Sequence, residues 1–437
     1  MNRNWTIAAA AIAAGMAFID TTALTVALPD LRNAFSADDS ALLWIHNAYA
    51  IPLAALLLIG GSLGDRYGTR RLFLIGIALF GIASVACGFA PDTATLIIMR
   101  TAQGLGAAIM IPGSLAMIAR ATPGHSLGRA IGLWSMFTII ATALGPVVGG
   151  LVVQYGLWRG VFFINAPLAA LAFFITLTRT SADPPRAERS HRLDWIGAFL
   201  LAAALASLSW ALIDRPLIAV AAIVFVALFY FRERSTSHPL LAPTLFTSRH
   251  LTSATSISLL VYSAWGGFTY LLPTFLIDSL GFAPAIAGLL QLPSIVLIAC
   301  ISPFAGKFLD QRGPRWPLAI GALISAIGFS TLLWPGFTEH PLGILVPLAF
   351  LGIGLGFCAA PLSATIMQSV PTDQHGLASG LNSTAARIAS AIGVALLGGL
   401  AYRHGTLDLS ALAITATVLC LCAVPFALTF SKPTEPT

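Results

Sequence analysis

Long apolar stretches broken by short polar ones run the length of this chain. Runs near 6–28, 42–62, 72–90, 94–119, 127–154, 160–178, 194–213, 216–231, 250–277, 284–305, 316–335, 341–369, 376–400 and 408–430 are predominantly apolar. An α-helix crosses ~30 Å of hydrocarbon with about 20 such residues, so the pattern predicts fourteen membrane helices. The eighth run is the shortest, and merging it with the seventh would leave thirteen or twelve. Arg3 ahead of an Ala-rich stretch has the look of a secretory signal. An acid inside that run, the lack of a clear cleavage site and a second run close behind predict a retained helix instead.

Composition supports this. Hydrophobic residues make up 57% of the 437 and charged residues 9%, against about 25% charged in a water-soluble domain. With a mean hydropathy of +0.87, a soluble globule is excluded and an all-α membrane protein is expected. The net charge of +6 is explained by loops rather than by nucleic acid. If the helices alternate from a cytoplasmic N-terminus, seventeen of the 23 Lys and Arg residues fall on the cytoplasmic side. Only Arg32, Arg159, Arg215 and Arg403 fall outside, while Arg100 and Arg387 lie within runs. That bias satisfies the positive-inside rule and predicts an even span count, with both termini cytoplasmic in the plasma (inner) membrane. Cys87, Cys300, Cys358, Cys420 and Cys422 all sit in apolar runs without zinc-type spacing, so they read as small core residues.

The chain repeats itself. Gly61, Asp65, Gly68 and Arg70 recur as Gly306, Asp310, Gly313 and Arg315, displaced by 245. Gly104 and Gly106 pair with Gly354 and Gly356 at a displacement of 250, and Pro123, Gly128 and Gly132 with Pro371, Gly376 and Gly380 at 248. Gly149-Gly150 recurs as Gly398-Gly399, displaced by 249. The series predicts two parallel six-helix bundles, 1–180 and 250–437, with a linker at 181–249 carrying two extra helices. Parallel repeats of this kind place a substrate site between the halves near the midplane.

Three charged residues lie deep inside runs, away from their ends: Asp20, Arg100 and Arg387. A charge at bilayer depth costs about 2.5–3.5 kcal/mol or more and marks function by default. Snorkelling competes as an explanation for Arg100, which lies about seven residues, or ~10 Å, from the outer end of its run. Asp20 lies at a similar depth, ~12 Å by helical rise. The two are therefore predicted to meet and offset each other's burial. Gln103, one turn beyond Arg100, suggests an inward polar face. Asn165, Gln291, Gln368, Asn382 and Arg387 join it as candidates for lining a substrate cavity, with helix–helix hydrogen bonding as the competing explanation. For Arg387 a gating or packing role stands level with substrate contact.

Motifs sharpen the picture. The first short loop reads Gly61-Ser62-Leu63-Gly64-Asp65-Arg66-Tyr67-Gly68-Thr69-Arg70-Arg71. Its glycines admit close helix approach, and its acid and arginines can lock helix ends. The loop resembles the G-x-L-x-D-R-x-G-R-[KR] signature of the major facilitator superfamily, with Thr69 in place of a basic residue. Gly306, Asp310 and Arg315 are similar to its weaker second copy. Arg100 with Gly104 resembles that family's R-x-x-x-G motif, and Gly145-Pro146-Val147-Val148-Gly149-Gly150 its antiporter motif, although Ala141 stands where a glycine is common. Generic Gly-rich packing competes for the latter stretch. The stretches 18–29, 44–49, 158–167 and Asp194-Trp195-Ile196-Gly197 are similar to the fourteen-span drug:proton antiporters.

The resemblance covers nearly the whole chain. It implies a conformational latch at the two loops, proton coupling through Asp20 and Arg100, and export of amphipathic drugs, dyes or antibiotics in exchange for protons. No Walker-type sequence or catalytic triad is present, so the expectation is a non-enzyme driven by a proton gradient, without cofactor or metal. It would work as a monomer with a small-molecule substrate, protons and lipid as partners. The alternatives are a proton-coupled nutrient symporter and a non-transport scaffold or lipid-handling protein.

Overall fold

A computed structural model gives the fold and describes residues 3–37, 39–122, 126–155, 157–183, 194–213, 216–236, 248–276, 280–281, 284–338, 342–403, 406–407 and 409–430. The first repeat forms α1 (Arg3–Phe35), α2 (Asp39–Tyr67), α3 (Thr69–Gly88), α4 (Thr93–Ala121), α5 (Leu127–Gln154), α6 (Gly160–Phe163) and α7 (Asn165–Arg179). Two helices follow, α8 (Trp195–Ile213) and α9 (Ala219–Ser235). The second repeat forms α10 (Arg249–Thr274), α11 (Pro284–Arg312), α12 (Arg315–Thr331), α13 (Pro335–Thr338), α14 (Leu345–Gln368), α15 (His375–Ala401) and α16 (Leu409–Leu428). Strands β1 (Tyr402–Arg403) and β2 (Thr406–Leu407) form a two-residue antiparallel ladder.

Each of the fourteen apolar runs contains a helix among its described residues, with α6 and α7 sharing one run. Among the described residues, nine helical segments are long and apolar enough to cross a membrane. The helices outside that set are α8, α9, α10, α12, the four-residue α13 and α15. Helices α9 and α12 have 17 residues each, and α10 and α15 dilute their apolar side chains with Ser, Thr and His. Large apolar side chains stand exposed on many helices, such as Ile82, Val147, Phe174 and Phe304. That surface suits lipid and not water.

Packing divides the chain into two compact units that interleave along the sequence. The first is Met1–Thr122, Ile140–Leu245 and Val370–Thr384; the second is Pro123–Ile139, Phe246–Ser369 and Ala385–Thr437. In the first unit, Met16, Tyr49, Phe73, Phe80 and Met110 form a core shared by α1 to α4. In the second, Phe268, Phe329, Leu348 and Leu412 join α10, α12, α14 and α16. Glycines account for the split in α5 and α15. A β-carbon on Gly132 would fall 2.7 Å from Pro303 Cα on α11, and one on Gly380 2.7 Å from Leu58 Cα on α2. The start of α5 thus lies on α11, and the start of α15 on α2.

The repeat register differs from the one read in the sequence at one place. A β-carbon on Gly104 would come 2.5 Å from the Tyr49 carbonyl, and one on Gly352 2.6 Å from that of Ser294. On Gly106 it would meet Phe80 N at 2.7 Å and Gly76 O at 3.0 Å; on Gly354, Ser325 N at 2.7 Å and Gly321 O at 2.9 Å. The equivalent pairs are therefore Gly104 with Gly352 and Gly106 with Gly354, displaced by 248. The run Gly352-x-Gly354-x-Gly356 spells Gly-x-Gly twice, and only the neighbouring helices choose between the readings.

Candidate functional site

Asp20, Arg100, Gln103 and Asn165 meet in the middle of the first unit, each fully buried. Helix α1 supplies Asp20. Helix α4 begins at the N-cap Asp92, whose carboxylate accepts from Thr95 N at 2.8 Å. That bond, backed by the Thr95 hydroxyl, holds the Asp92 carboxyl below the usual range. Two turns into α4, Arg100 and Gln103 are three residues apart and share one face. Asn165 opens α7 beyond a break at Ile164. Pro167 has no N–H to donate to the Phe163 carbonyl four residues back, so the helix is interrupted there.

Arg100 Nη1 donates to Asp20 Oδ2 at 2.5 Å and to Gln103 Oε1 at 2.8 Å. Gln103 Nε2 and Asn165 Nδ2 both donate to Asp20 Oδ1, each at 2.8 Å. Arg100 Nε reaches the Ile45 carbonyl at 3.4 Å, and its guanidinium lies 4.5 Å from the Tyr49 ring centroid, a cation–π contact strengthened by the burial of both side chains. The predicted meeting of Asp20 and Arg100 is thus present. Removing one partner of a buried pair costs about 3–5 kcal/mol, because the other charge is stranded. Gln103 and Asn165, expected to line a substrate cavity, are turned onto the carboxylate. Ser84 joins them unannounced by any motif, accepting from Asn165 Nδ2 at 2.9 Å.

The antiporter-like glycines pack beside this cluster. A β-carbon on Gly145 would come 3.0 Å from the Ile19 carbonyl, and one on Gly149 2.8 Å from that of Ala23. Thr22 Oγ1 also donates to the Thr142 carbonyl at 3.1 Å. These residues seat α5 against the turn of α1 that carries Asp20. Gly150 is looser, since a β-carbon there would stay 4.0 Å from Val26 Cγ1, and Pro146 is exposed.

The loop acids serve helix N-termini. Asp65 accepts from the N–H groups of Gly376 and Leu377 at 2.9 and 2.7 Å, at the start of α15. Asp310 accepts from those of Gly128 and Arg129, both at 2.9 Å, at the start of α5. Opening N–H groups lack partners within their own helix, and the helix dipole favours an anion there. Gly61 and Gly306 abut the Gly376 and Gly128 carbonyls. Gly68 has φ +99° and Gly313 φ +74°, the left-handed region in which glycine is unstrained. Arg70 closes the end of α7, donating to the Thr176 and Leu177 carbonyls at 3.2 and 2.7 Å. Arg66 and Arg315 lie 5.3 and 5.5 Å from the ring centroids of Tyr67 and Trp316.

Asp183 was missed in the sequence because it sits in a stretch readable only as a polar linker. It accepts from Arg70 N and Arg71 N at 3.0 and 3.1 Å and pairs with Arg120 at 3.4 Å. Arg120 also lies 3.6 Å from Asp65.

Residues 10–394 match the family described as Major Facilitator Superfamily. The chain belongs to the major facilitator superfamily. Multidrug resistance protein Stp of Mycobacterium tuberculosis is 35% identical over 425 residues, spanning 93% of this chain and 78% of that protein. The tetracenomycin C resistance and export protein of Streptomyces glaucescens is 33% identical over 416 residues, spanning 91% and 76%. The crystal structure of the human organic anion transporter MFSD10 (TETRAN) matches in fold, with a TM-score of 0.74 at 14% identity over 98% of this chain and 100% of that one.

This major facilitator protein is an integral membrane protein. Its remaining candidates are spread over other helices. Gln291 is half-buried on α11, Gln368 is exposed at the end of α14, and on α15 Asn382 is buried and Arg387 half-buried. Among the described residues no cluster of His, Cys, Asp and Glu could hold a metal.

Proposed function

We propose that this protein exports amphipathic small molecules such as drugs, dyes or antibiotics in exchange for protons, by alternating access. The observation that carries the reading is the fully buried Asp20, ringed by Arg100, Gln103 and Asn165 at hydrogen-bond distance. The resistance and export proteins among its relatives support the direction and the class of cargo. When Asp20 is ionised, Arg100 is held by it. A proton entering from outside removes that charge and frees Arg100, and its departure on the cytoplasmic side restores the pair. The caps from Asp65 and Asp310 act as latches that alternating access must break and remake. The two six-helix bundles, 1–180 and 250–437, rock about a substrate site between them, with the helices of 181–249 as an addition. The chain works as a monomer in the plasma membrane with both termini cytoplasmic. It needs no cofactor besides the gradient.

In proteoliposomes with an imposed pH gradient, Asp20→Asn is expected to insert normally and to lose gradient-driven transport across a panel of cationic, neutral and zwitterionic drugs. Undiminished gradient-driven transport by that variant would sink the reading.

A further inference from the structure

We propose that Asn165 is the positioning residue that senses the protonation state of Asp20 and passes it through Ser84 to the α6–α7 junction. This deepens the proton-site reading above and rests on it. Asn165 Nδ2 uses both of its hydrogens, one on Asp20 Oδ1 at 2.8 Å and one on Ser84 Oγ at 2.9 Å. The Ser84 hydroxyl in turn donates to the Phe162 carbonyl at 2.8 Å. Among the described residues, Asn165 Oδ1 is buried with no hydrogen-bond partner. Such an atom is costly to leave unpaired, and it lies on the one amide able to turn.

With Arg100, Gln103 and Asn165 all donating to it, the carboxylate has what its ionised form needs and nothing to accept from its acid form. A proton placed on Asp20 Oδ1 sets one donor against another. Gln103 cannot relieve this, because its Oε1 already accepts from Arg100 Nη1 at 2.8 Å. A half-turn of the Asn165 amide exchanges Oδ1 for Nδ2. Oδ1 then accepts from the acid O–H and from the Ser84 hydroxyl, which leaves the Phe162 carbonyl, while Nδ2 gives up both of its bonds and takes the place where Oδ1 had no partner. That carbonyl is next to the interruption made by Pro167, where the helix has least support. Proton binding thereby loosens the junction of α6 and α7 without moving Asp20 itself.

Other groups face the same carboxylate. His46 on α2 and Cys87 on α3 lie within electrostatic reach of both Asp20 and Arg100, and Tyr49 on α2 covers the guanidinium. Helix α6 has no titratable residue, and Arg179 on α7 is at its far end. Subtracting the Asp20→Asn spectrum isolates Asp20 from these neighbours.

The test is pH-difference infrared spectroscopy on the purified full chain. The wild type should show a carboxylic-acid band that Asp20→Asn lacks. Asn165→Leu removes a charge-assisted donor from the ionised form and a weaker neutral acceptor from the acid form. Its midpoint should therefore move up by about one pH unit, tenfold in proton affinity, with the acid band at higher wavenumber. With ¹³C-carbonyl phenylalanine, the wild type should show a carbonyl losing one of its hydrogen bonds on acidification. Ser84→Ala, which removes only a hydroxyl, should not. An unchanged midpoint in Asn165→Leu, as a substrate-cavity role would give, overturns the proposal, and so does the labelled band persisting in Ser84→Ala. Absence of any Asp20-dependent band in the wild type overturns the proton site together with it.

Discussion

Neutralising Asp65 isolates the contribution of one helix cap. Asp65→Asn keeps the shape of the side chain but replaces two charge-assisted bonds, at 2.9 and 2.7 Å from Gly376 N and Leu377 N, with at most one neutral bond. Bonds to charged groups contribute about 1.5–3 kcal/mol and neutral ones about 0.5–1.5. The carboxylate keeps some exposure, 12% of its side chain, so solvent screening lowers the difference to about 2 kcal/mol. That corresponds to roughly 30-fold in an opening equilibrium. Those two N–H groups are the second and third of α15 and have no acceptor within the helix, so their protection from exchange depends on Asp65. Hydrogen–deuterium exchange read by fragmentation should show Gly376 and Leu377 exchanging about 30-fold faster, with Gly128 and Arg129 unchanged. Asp310→Asn should produce the converse. If Gly376 and Leu377 keep their wild-type protection, or if either variant loosens both helices alike, the reasoning fails.

Other substitutions probe the remaining contacts. Gly104→Ala and Gly352→Ala should each lower thermal stability by about 1–3 kcal/mol through overpacking, whereas Gly288→Ala, with nothing within 4 Å, should not; equal melting temperatures for all three would refute the register of the repeats. Arg159 Nη1 donates to the Gly88 and Ala90 carbonyls, both at 2.9 Å, at the end of α3, so Arg159→Ala should cost about 1–2 kcal/mol in denaturation assays. Burial raises the Asp194 carboxyl, but bonds from Arg232 and from the N–H groups of Gly197 and Ile196 outweigh it and leave the group below its ordinary value. Its stabilising contribution is therefore complete above the unfolded value, about pH 3.9, and is lost as pH falls through the folded one. Melting curves below about pH 4 should show that loss in the wild type and not in Asp194→Asn.

Depth along a helix was enough to foresee the meeting of Asp20 and Arg100, since two charges at similar levels in one repeat have few other ways to lower their burial cost. Rotation about the helix axis was not legible. Gln103 and Asn165 looked like cavity groups because a polar residue in an apolar run could face a substrate or a carboxylate with the same spelling. Asn165 is aimed by the break at Pro167, and Ser84 is one serine among many in the spans. The loop motifs were visible as glycine, acid and arginine, but the acids bind backbone N–H groups on helices far along the chain, and a backbone partner carries no side-chain signature. Asp183 had neither a periodic pattern nor a motif around it.

The two loop acids cap helices reciprocally. The acid of the first repeat serves α15 of the second, and the acid of the second serves α5 of the first. In a pair of identical chains, a self-complementary interface has this form, with residue i meeting j and j meeting i. One contact, written once in an ancestral sequence, would then be made twice. Within a single chain the two caps need not match, and they differ: the second N–H belongs to Leu377 in one and to Arg129 in the other. A single change in a symmetric dimer would weaken both caps at once, whereas here it weakens one, so the two can be tuned to different strengths.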